Sequence, residues 1–403
     1  MEVYLVGGAL RDRLLGLPVV ERDYVVVGAT PQMMLERGFK QVGKDFPVFL
    51  HPQTSEEYAL ARTLRNPVSG SRFPEPHAAP DVTLKEDLAR RDLTINAIAE
   101  SETGEVFDPF QGRRDLQAKC LRHVSPAFSE DPARVLRAAR FMAKYCDLGF
   151  QIAPETLSLM REISAAGSLE TVAPERVWQE MEKALLLPNP GLFIETLRQC
   201  GALASLFPEL DCLWGVPQPP KWHPEIDTGL HTLMALAMAT RLSDDPLVRF
   251  AALTHDLGKG NTSAEILPSH HGHEGRGARI IRLLCERLRV PTHYRLLAER
   301  CATYHGHIHR LDDLRPGTVL KVLEGLDAFR QPENVARFLL VCEADYRGRG
   351  GFEERPYPQA SRFNDLFHAA TQIDKGELKR MKPGKAAGEA IRILRLEAIK
   401  AVM

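Results

Sequence analysis

Apolar and polar positions follow two different periods along the 403-residue chain. Near the start, short apolar runs are punctuated by glycine. Val3–Val6 ends at Gly7-Gly8, Ala9–Leu15 has a helical pattern stopped by Gly16, and Tyr24–Val27 is apolar again, which predicts strand, glycine turn, helix, strand. Thr30-Pro31 reads as the cap and first turn of a short helix ended by Gly38. Phe39–Val42, Phe46–Leu50 and Glu57–Leu64 alternate as strands. Arg65–Pro80, rich in Pro, Ser, Gly and Arg, reads as a mobile loop over a site. From Thr83 the period turns helical. Thr83-Leu84-Lys85-Glu86 is a capping box that opens a helix running through Arg90, Arg91 and Asp92. Asp131-Pro132 caps and starts another, with Val135, Ala139 and Met142 on an apolar stripe and Arg134, Arg137, Arg140 and Lys144 on a basic one.

The first strand–turn–helix–strand unit has the parts of a phosphate site. Glycines at a strand-to-helix turn, Gly8 among them, let backbone N–H groups approach an anion, and Arg11 adds a fork of donors one turn later. Glu21 and Asp23 lie two apart before an extended run, so their carboxylates share a face, as a magnesium–triphosphate site needs. Glu57 is a candidate third carboxylate. Alone, a GG turn or an E-x-D pair is usually a plain turn or a solvated strand face; order and spacing together carry the reading.

Gly7-Gly8, Arg11-Asp12, Leu14-Leu15-Gly16 and Glu21-x-Asp23 resemble the nucleotidyltransferase signature of the polymerase-beta superfamily, with Glu21 standing where most relatives have Asp. The string Arg90–Ala99 (RRDLTINAIA) resembles the second motif of tRNA nucleotidyltransferases and bacterial poly(A) polymerases. That resemblance implies that Arg91 meets the triphosphate while Asp92 and Asn96 order the sugar and the loop. Asp108–Leu116 resembles the connector between head and neck.

Asp131 and Arg134 carry a chemical possibility of their own. Cytosine and adenine each show an amino donor beside a ring-nitrogen acceptor, whereas uracil and guanine show the reverse. A carboxylate beside a guanidinium pairs with the first pattern only, so side chains could select C and A without a nucleic-acid template. Glu130-Asp131-x-x-Arg134 resembles the motif that does this in class II CCA-adding enzymes. The head and neck, roughly residues 1–210, are similar to a bacterial class II tRNA nucleotidyltransferase, and Glu175-Arg176…Glu180 resembles the helix whose arginine buttresses the nucleotide site. The implied nucleotide contacts are Gly8, Arg11, Arg91, Asp131, Arg134, Arg137 and Arg140, with Mg2+ on Glu21 and Asp23.

Gly215–Glu225 (GVPQPPKWHPE) is proline-rich and reads as a linker. Beyond it come His231, His255-Asp256, His270, His271, His273, His305, His307 and Asp345. Leu253–Lys259 (LTHDLGK) resembles the defining string of the HD phosphohydrolase superfamily. That implies a divalent transition metal, Ni2+ or another, on His231, His255, Asp256 and Asp345, with His273 and His305 for a second ion. His255 and Asp256 are the implied catalytic pair. The tail carries Lys379, Arg380, Lys382, Lys385, Arg392 and Arg395 around Gly384, and the resemblance implies contact with the tRNA backbone.

Composition narrows the class. Net charge is −1, so any RNA track is local. No apolar run approaches a membrane span, and the N-terminus enters a strand at once, which argues against a signal peptide. The seven scattered cysteines form no C-x-x-C and suggest reduced thiols in the cytoplasm. The expected fold is α+β: a polymerase-beta-like head (1–140), then a helical neck (141–214), an HD domain (226–330) and a helical tail (331–403). The expected activity is addition of C, C and A to tRNA from CTP and ATP, with contacts to the acceptor end and elbow. Phosphomonoester and 2′,3′-cyclic phosphate hydrolysis is expected at the HD domain, in a monomer or homodimer. The rivals are a bacterial poly(A) polymerase, for which a strongly basic chain without an HD string is expected, and an HD signalling phosphohydrolase with an inert head.

Overall fold

The computed structural model describes every residue except Val20 and residues 43–47, 66–74 and 375–383. The chain divides into two compact units, Met1–Thr171 and Val172–Met403.

The first unit is built on a seven-stranded mixed sheet. Its strands are β1 (Glu2–Val6), β2 (Asp23–Val27), β3 (Lys40–Val42), β4 (Val48–Leu50), β5 (Glu57–Leu60), β8 (Ala99–Ser101) and β9 (Val106–Phe107), in the order β3-β4-β5-β2-β1-β8-β9. β6 (Arg62–Arg65) and β7 (Glu75–Ala78) form a separate antiparallel pair. Alternation along the central strands covers both faces. Tyr4, Val6, Val25 and Ala99 join Leu88 and Ala97 on one face, and Val26, Leu60, Met34 and Phe49 pack on the other. Register then places the chemistry. β1 and β2 are antiparallel with Val6 opposite Asp23, and β2 and β5 are parallel with Asp23 opposite Glu57. Residues in register share a face, so Glu57 stands beside Asp23.

Three sequence expectations change here. The run Glu57–Leu64 is broken at Ala61, because the N–H of Arg62 is taken by Asp87 Oδ1 and the chain leaves the main sheet as β6. Of the stretch read as a loop, residues 66–74 lie outside the described residues, and Glu75–Ala78 is a strand. The helix opened by the Thr83/Glu86 capping box ends at Ala89. Asp92 Oδ1 accepts both the Leu93 N–H and the Asn96 amide at 2.8 Å, offering the backbone a turn in place of helix. Residues 94–96 form a single 3-10 turn.

Every strand element named above belongs to the first unit; the elements of the second, among its described residues, are all helices joined by turns and loops. Helices Thr228–Leu242, Pro246–Thr254, Thr292–Ile308 and Glu333–Arg347 pack on one another, and His273–Arg287 packs on Thr292–Ile308. Buried Arg249 donates to the carbonyls of Leu185 and Leu187, tying the end of the Pro174–Leu185 helix to this bundle. At Gly258 the backbone is pressed against the next helix. A Cβ there would lie 1.9 Å from the His273 carbonyl oxygen, so only glycine lets the His255–Lys259 segment sit against His273. The stretch read as a linker is folded structure. Pro217 and Asp227 form a bridge, and Gln218 and His223 are buried beneath it.

Candidate active sites

The glycine turn, the second strand and the Arg90–Ala99 segment meet at one end of the sheet. Gly7 has φ +69°, and a Cβ on it would lie 3.1 Å from Arg91 Nη1 and 3.9 Å from Asp23 Oδ2. A side chain would fill the space that the guanidinium and carboxylate now face. Arg91 also reaches Asp87 Oδ2 at 3.4 Å and the Asn96 carbonyl at 3.5 Å, while its buried Nε has no partner. Glu21, Asp23, Glu56 and Glu57 line a single cleft. Burial raises the Asp23 pKa and Glu21 adds to that, opposed by Arg91. Four carboxylates lining one cleft suit a hard divalent cation with oxygen ligands, so the residues present fit Mg2+.

Behind this cleft lies a buried polar chain. Arg11 is 4% exposed; it donates to Asn96 Oδ1 at 2.6 Å and to Asp12 Oδ1 at 2.8 Å, with its guanidinium 5.0 Å from the Phe141 ring. Its Nη2 faces Gly8, 3.4 Å from where a Cβ would stand. Asn96 donates to Asp92, and Asp92 Oδ2 accepts from Arg137 Nε at 2.7 Å. Asp92 stays far below the usual carboxylate range: burial opposes this, but Arg137, Asn96 and the Leu93 N–H outweigh it. Asp131 Oδ1 accepts from the Ala133 N–H at 3.2 Å and opens the helix Ala133–Tyr145. The basic stripe on that helix is not a solvated face. Arg134 donates to the carbonyls of Ala127 and Arg90, and burial lowers its pKa, against the pull of Asp92 and Asp131. Arg140 lies over Phe141, and Lys144 bonds Asp12. Arg176 is exposed on the Pro174–Leu185 helix of the second unit.

The second unit gathers His231, His255, Asp256, His273, His305 and Asp345, all but His273 at most 4% exposed. Three imidazoles are aimed by backbone carbonyls: Nδ1 of His255 bonds Ala252 O at 2.7 Å, that of His273 bonds His270 O at 2.8 Å, and that of His305 bonds Cys301 O at 3.0 Å. Each bond fixes the tautomer and leaves Nε2 as a lone-pair donor. The Nε2 atoms then converge on carboxylates. His255 Nε2 is 3.2 Å and His231 Nε2 4.0 Å from Asp256 Oδ2. His273 Nε2 is 3.5 Å and His305 Nε2 3.7 Å from Asp256 Oδ1. Asp345 Oδ1 is 3.1 Å from His231 Nε2 and 3.8 Å from His255 Nε2. Nε2 of His255 and His273 and Asp256 Oδ1 are buried without a hydrogen-bond partner. Ligands about 2.1 Å from one ion sit roughly 3.0–3.4 Å apart. The donor set therefore fits one ion among His231, His255, Asp256 and Asp345 and a second among Asp256, His273 and His305, Asp256 being common to both groups. Burial depresses the His305 pKa to about 3, so it stays an uncharged ligand.

Several partners in this site were not visible in the sequence. Glu225 Oε1 lies 2.8 Å from His231 Nδ1, off the ring N–H direction, and 3.0 Å from His223 Nδ1. Lys259 Nζ sits 2.6 Å from both Asp256 Oδ2 and Gln218 Oε1. His309 Nε2 is 2.6 Å from Asp345 Oδ2, with its Nδ1 3.0 Å from the Tyr357 hydroxyl. His270 is turned to the Pro217 carbonyl and Thr262, and His271 is exposed. Of the tail cations, Lys379, Arg380 and Lys382 lie outside the described residues; Arg392 bonds Glu324 and Arg395 lies over Phe329.

Comparison with known proteins identifies the family. Residues 3–122 match the family "Poly A polymerase head domain", residues 149–213 the family "Probable RNA and SrmB- binding site of polymerase A", and residues 228–346 the family "HD domain". The multifunctional CCA protein of Thioalkalivibrio sulfidiphilus is 61% identical over 401 residues, covering 99% of this chain and 98% of the relative. That of Nitrosococcus oceani is 57% identical with the same coverage. The fold resembles that of the Bacillus stearothermophilus CCA-adding enzyme in complex with CTP, with TM-score 0.66 and 24% identity over 99% of this chain and 89% of the other. The chain belongs to the multifunctional CCA protein family: it is a CCA-adding enzyme with an HD domain.

Proposed function

We propose that the site of the first unit adds C, C and A to the 3′ end of tRNA from CTP and ATP without a nucleic-acid template. The convergence of Gly7, Asp23 and Arg91, with Glu21 and Glu57 in the same cleft, carries this reading. Glu21 and Asp23 would hold Mg2+, and Glu57, in register with Asp23, is the candidate for a further oxygen. Bound there, magnesium supplies charge neutralisation for the triphosphate and ionises the attacking 3′-hydroxyl. Arg91 takes the triphosphate oxygens, with the Gly8 backbone and Arg11 Nη2 behind it. Asp131 and Arg134 present an acceptor and a donor to the base edge, and Arg137 and Arg140 complete the nucleotide's surroundings. The rigid Asp92–Asn96–Arg11 chain holds these groups in place so that little reorganisation accompanies binding.

The HD centre is proposed to hydrolyse phosphomonoesters and 2′,3′-cyclic phosphates. Mixed imidazole and carboxylate donors favour a borderline ion such as Ni2+ or Mn2+ over Mg2+. Such an ion supplies an activated water near neutral pH. The chain itself aims the imidazoles through Ala252, His270 and Cys301 and balances Asp256 with Lys259. The working divisions are head 1–140, neck 141–214, HD domain 226–330 and tail 331–403, the HD centre drawing Asp345 from beyond residue 330. The tRNA acceptor end is placed at the head and its elbow along the tail, in a cytoplasmic monomer or homodimer. The test is incubation of the purified chain with tRNA lacking its 3′ CCA and each labelled nucleoside triphosphate. Incorporation of CMP and AMP but not UMP or GMP supports the reading; growth of a poly(A) tail, or no incorporation, overturns it.

A further inference from the structure

Residues four apart on a helix share a face, so Arg137, Phe141 and Tyr145 stand in a row along Ala133–Tyr145. Phe141 is 4% and Tyr145 1% exposed. Their rings are parallel to within 2°, with centroids 6.0 Å apart. Arg11 reaches this row from the Gly8–Leu14 helix, some 130 residues earlier in the chain. Its guanidinium carbon lies 5.0 Å from the Phe141 centroid and 5.2 Å from that of Tyr145. Those of Arg137 and Arg140 lie 5.8 and 4.7 Å from the same Phe141 centroid. One buried phenyl ring meets three guanidinium groups, and all three belong to the set assigned above to the nucleotide.

Gathering like charges before an anion arrives is unfavourable. Burial first, and then the Arg11 charge, lower the Lys144 pKa, a sign of how closely cations are held here. Carboxylates answer part of this: Asp12 bonds Arg11 and Lys144, and Asp92 bonds Arg137. A carboxylate also repels the incoming phosphates. The face of a phenyl ring attracts a cation through its quadrupole, yet has no net charge with which to oppose a triphosphate. An aliphatic side chain of similar volume would fill the space without that attraction. Tyr145 adds direction, because its hydroxyl donates at 2.7 Å to Asp12 Oδ1, the oxygen that also accepts from Arg11 Nε.

We propose that Phe141 is a positioning residue for nucleotide addition: its ring gathers Arg11, Arg137 and Arg140 so that their guanidinium groups are set for the nucleotide before it arrives. Tyr145 supports the arrangement by flanking Arg11 and fixing Asp12. The inference rests on the nucleotidyl reading of the first unit and deepens it by naming what holds its arginines together. Groups set in advance give up little freedom on binding. Removing the ring's attraction for them lowers nucleotide affinity roughly 2- to 30-fold, the range of buried cation–π contacts.

The test uses the full chain with mono-, di- or trifluorophenylalanine placed at position 141, together with Phe141→Leu. Each fluorine withdraws electron density from the ring face and changes its shape little. CTP is titrated calorimetrically into each protein with Mg2+ and without tRNA, and steady-state CMP incorporation gives kcat and KM. Affinity for CTP falls stepwise along the fluorinated series, by about tenfold at the third fluorine. KM for CTP rises in step, while kcat and the KM for tRNA stay close to wild type. Phe141→Leu loses at least as much affinity. A CTP affinity that ignores the fluorine count overturns the proposal, even if Phe141→Leu binds poorly, because a ring that only fills space is indifferent to its own charge distribution. If the wild type binds no CTP, the nucleotide reading of the cleft fails first and the role of the ring falls with it.

Discussion

Arg137 Nε donates a 2.7 Å hydrogen bond to Asp92 Oδ2, joining the Arg90–Ala99 motif to the helix that carries Arg134 and follows Asp131. The pair has a pH signature. The folded Asp92 pKa is held far below the unfolded value of about 3.9, so its contribution is present above that value and is lost as pH falls through the folded pKa. Asp92→Asn should destabilise the first unit by roughly 2 kcal/mol at pH 7, the scale of hydrogen bonds to a charged group. The gap between wild type and variant should be constant from about pH 5 upward and shrink between pH 4 and pH 2. Denaturant melts across that range check it.

Base selection is the next consequence. Arg134 is held by the carbonyls of Ala127 and Arg90, so its guanidinium keeps one orientation. Arg134→Ala should lower discrimination of CTP over UTP about tenfold or more, because each unpaired polar group of a wrong base no longer costs about 1–3 kcal/mol. Triphosphate affinity should change less. Single-turnover incorporation of all four nucleotides by Arg134→Ala and Asp131→Ala measures this; unchanged selection of C and A would contradict the side-chain template.

Glu225 yields a third prediction. Its carboxylate lies 2.8 Å from Nδ1 of His231 and, despite its burial, is held far below the usual range by His223 and His231. Glu225→Gln keeps the shape and removes the charge. The affinity of the HD centre for Ni2+ or Mn2+, followed by calorimetry, should fall about 10- to 100-fold, the usual effect of losing such a supporting group. CCA addition should be unaffected.

Much of both sites could be read from the chain because their residues come in short strings. Gly7-Gly8 with Asp23 is a local unit whose strands pair directly, and His255–Lys259 is one continuous segment, whereas His231 and Asp345 were joined to it only by the resemblance. Asp92 and Asn96 were legible as ordering residues, but the end of the helix at Ala89 was not, since it depends on Asp92 turning back on its own backbone. Glu225 and His223 were hidden by their neighbours. Proline-rich composition marks a constrained backbone and says nothing about burial; the Pro217–Asp227 bridge folds those residues inward. His309 was missed because its partners, Asp345 and Tyr357, lie 36 and 48 residues further on. Arg134 and Arg137 were read as nucleotide contacts, but the carbonyls of Ala127 and Arg90 and the Asp92 carboxylate that hold them were not legible, because they come from other segments of the chain.

The central claim is that one chain holds two separate active centres, an oxygen-lined nucleotidyl site and a His/Asp metal site. The most direct test assays Asp23→Ala and His255→Ala side by side for CMP and AMP incorporation into tRNA lacking CCA, and for 2′,3′-cyclic phosphate hydrolysis, each with Mg2+, Mn2+ and Ni2+. The account predicts that Asp23→Ala loses incorporation and keeps hydrolysis, because a carboxylate lining the nucleotide cleft is gone. His255→Ala should lose hydrolysis and keep incorporation, with the first activity favouring Ni2+ or Mn2+ and the second Mg2+. A folded His255→Ala protein that no longer adds CMP, or an Asp23→Ala protein that still does, would contradict it.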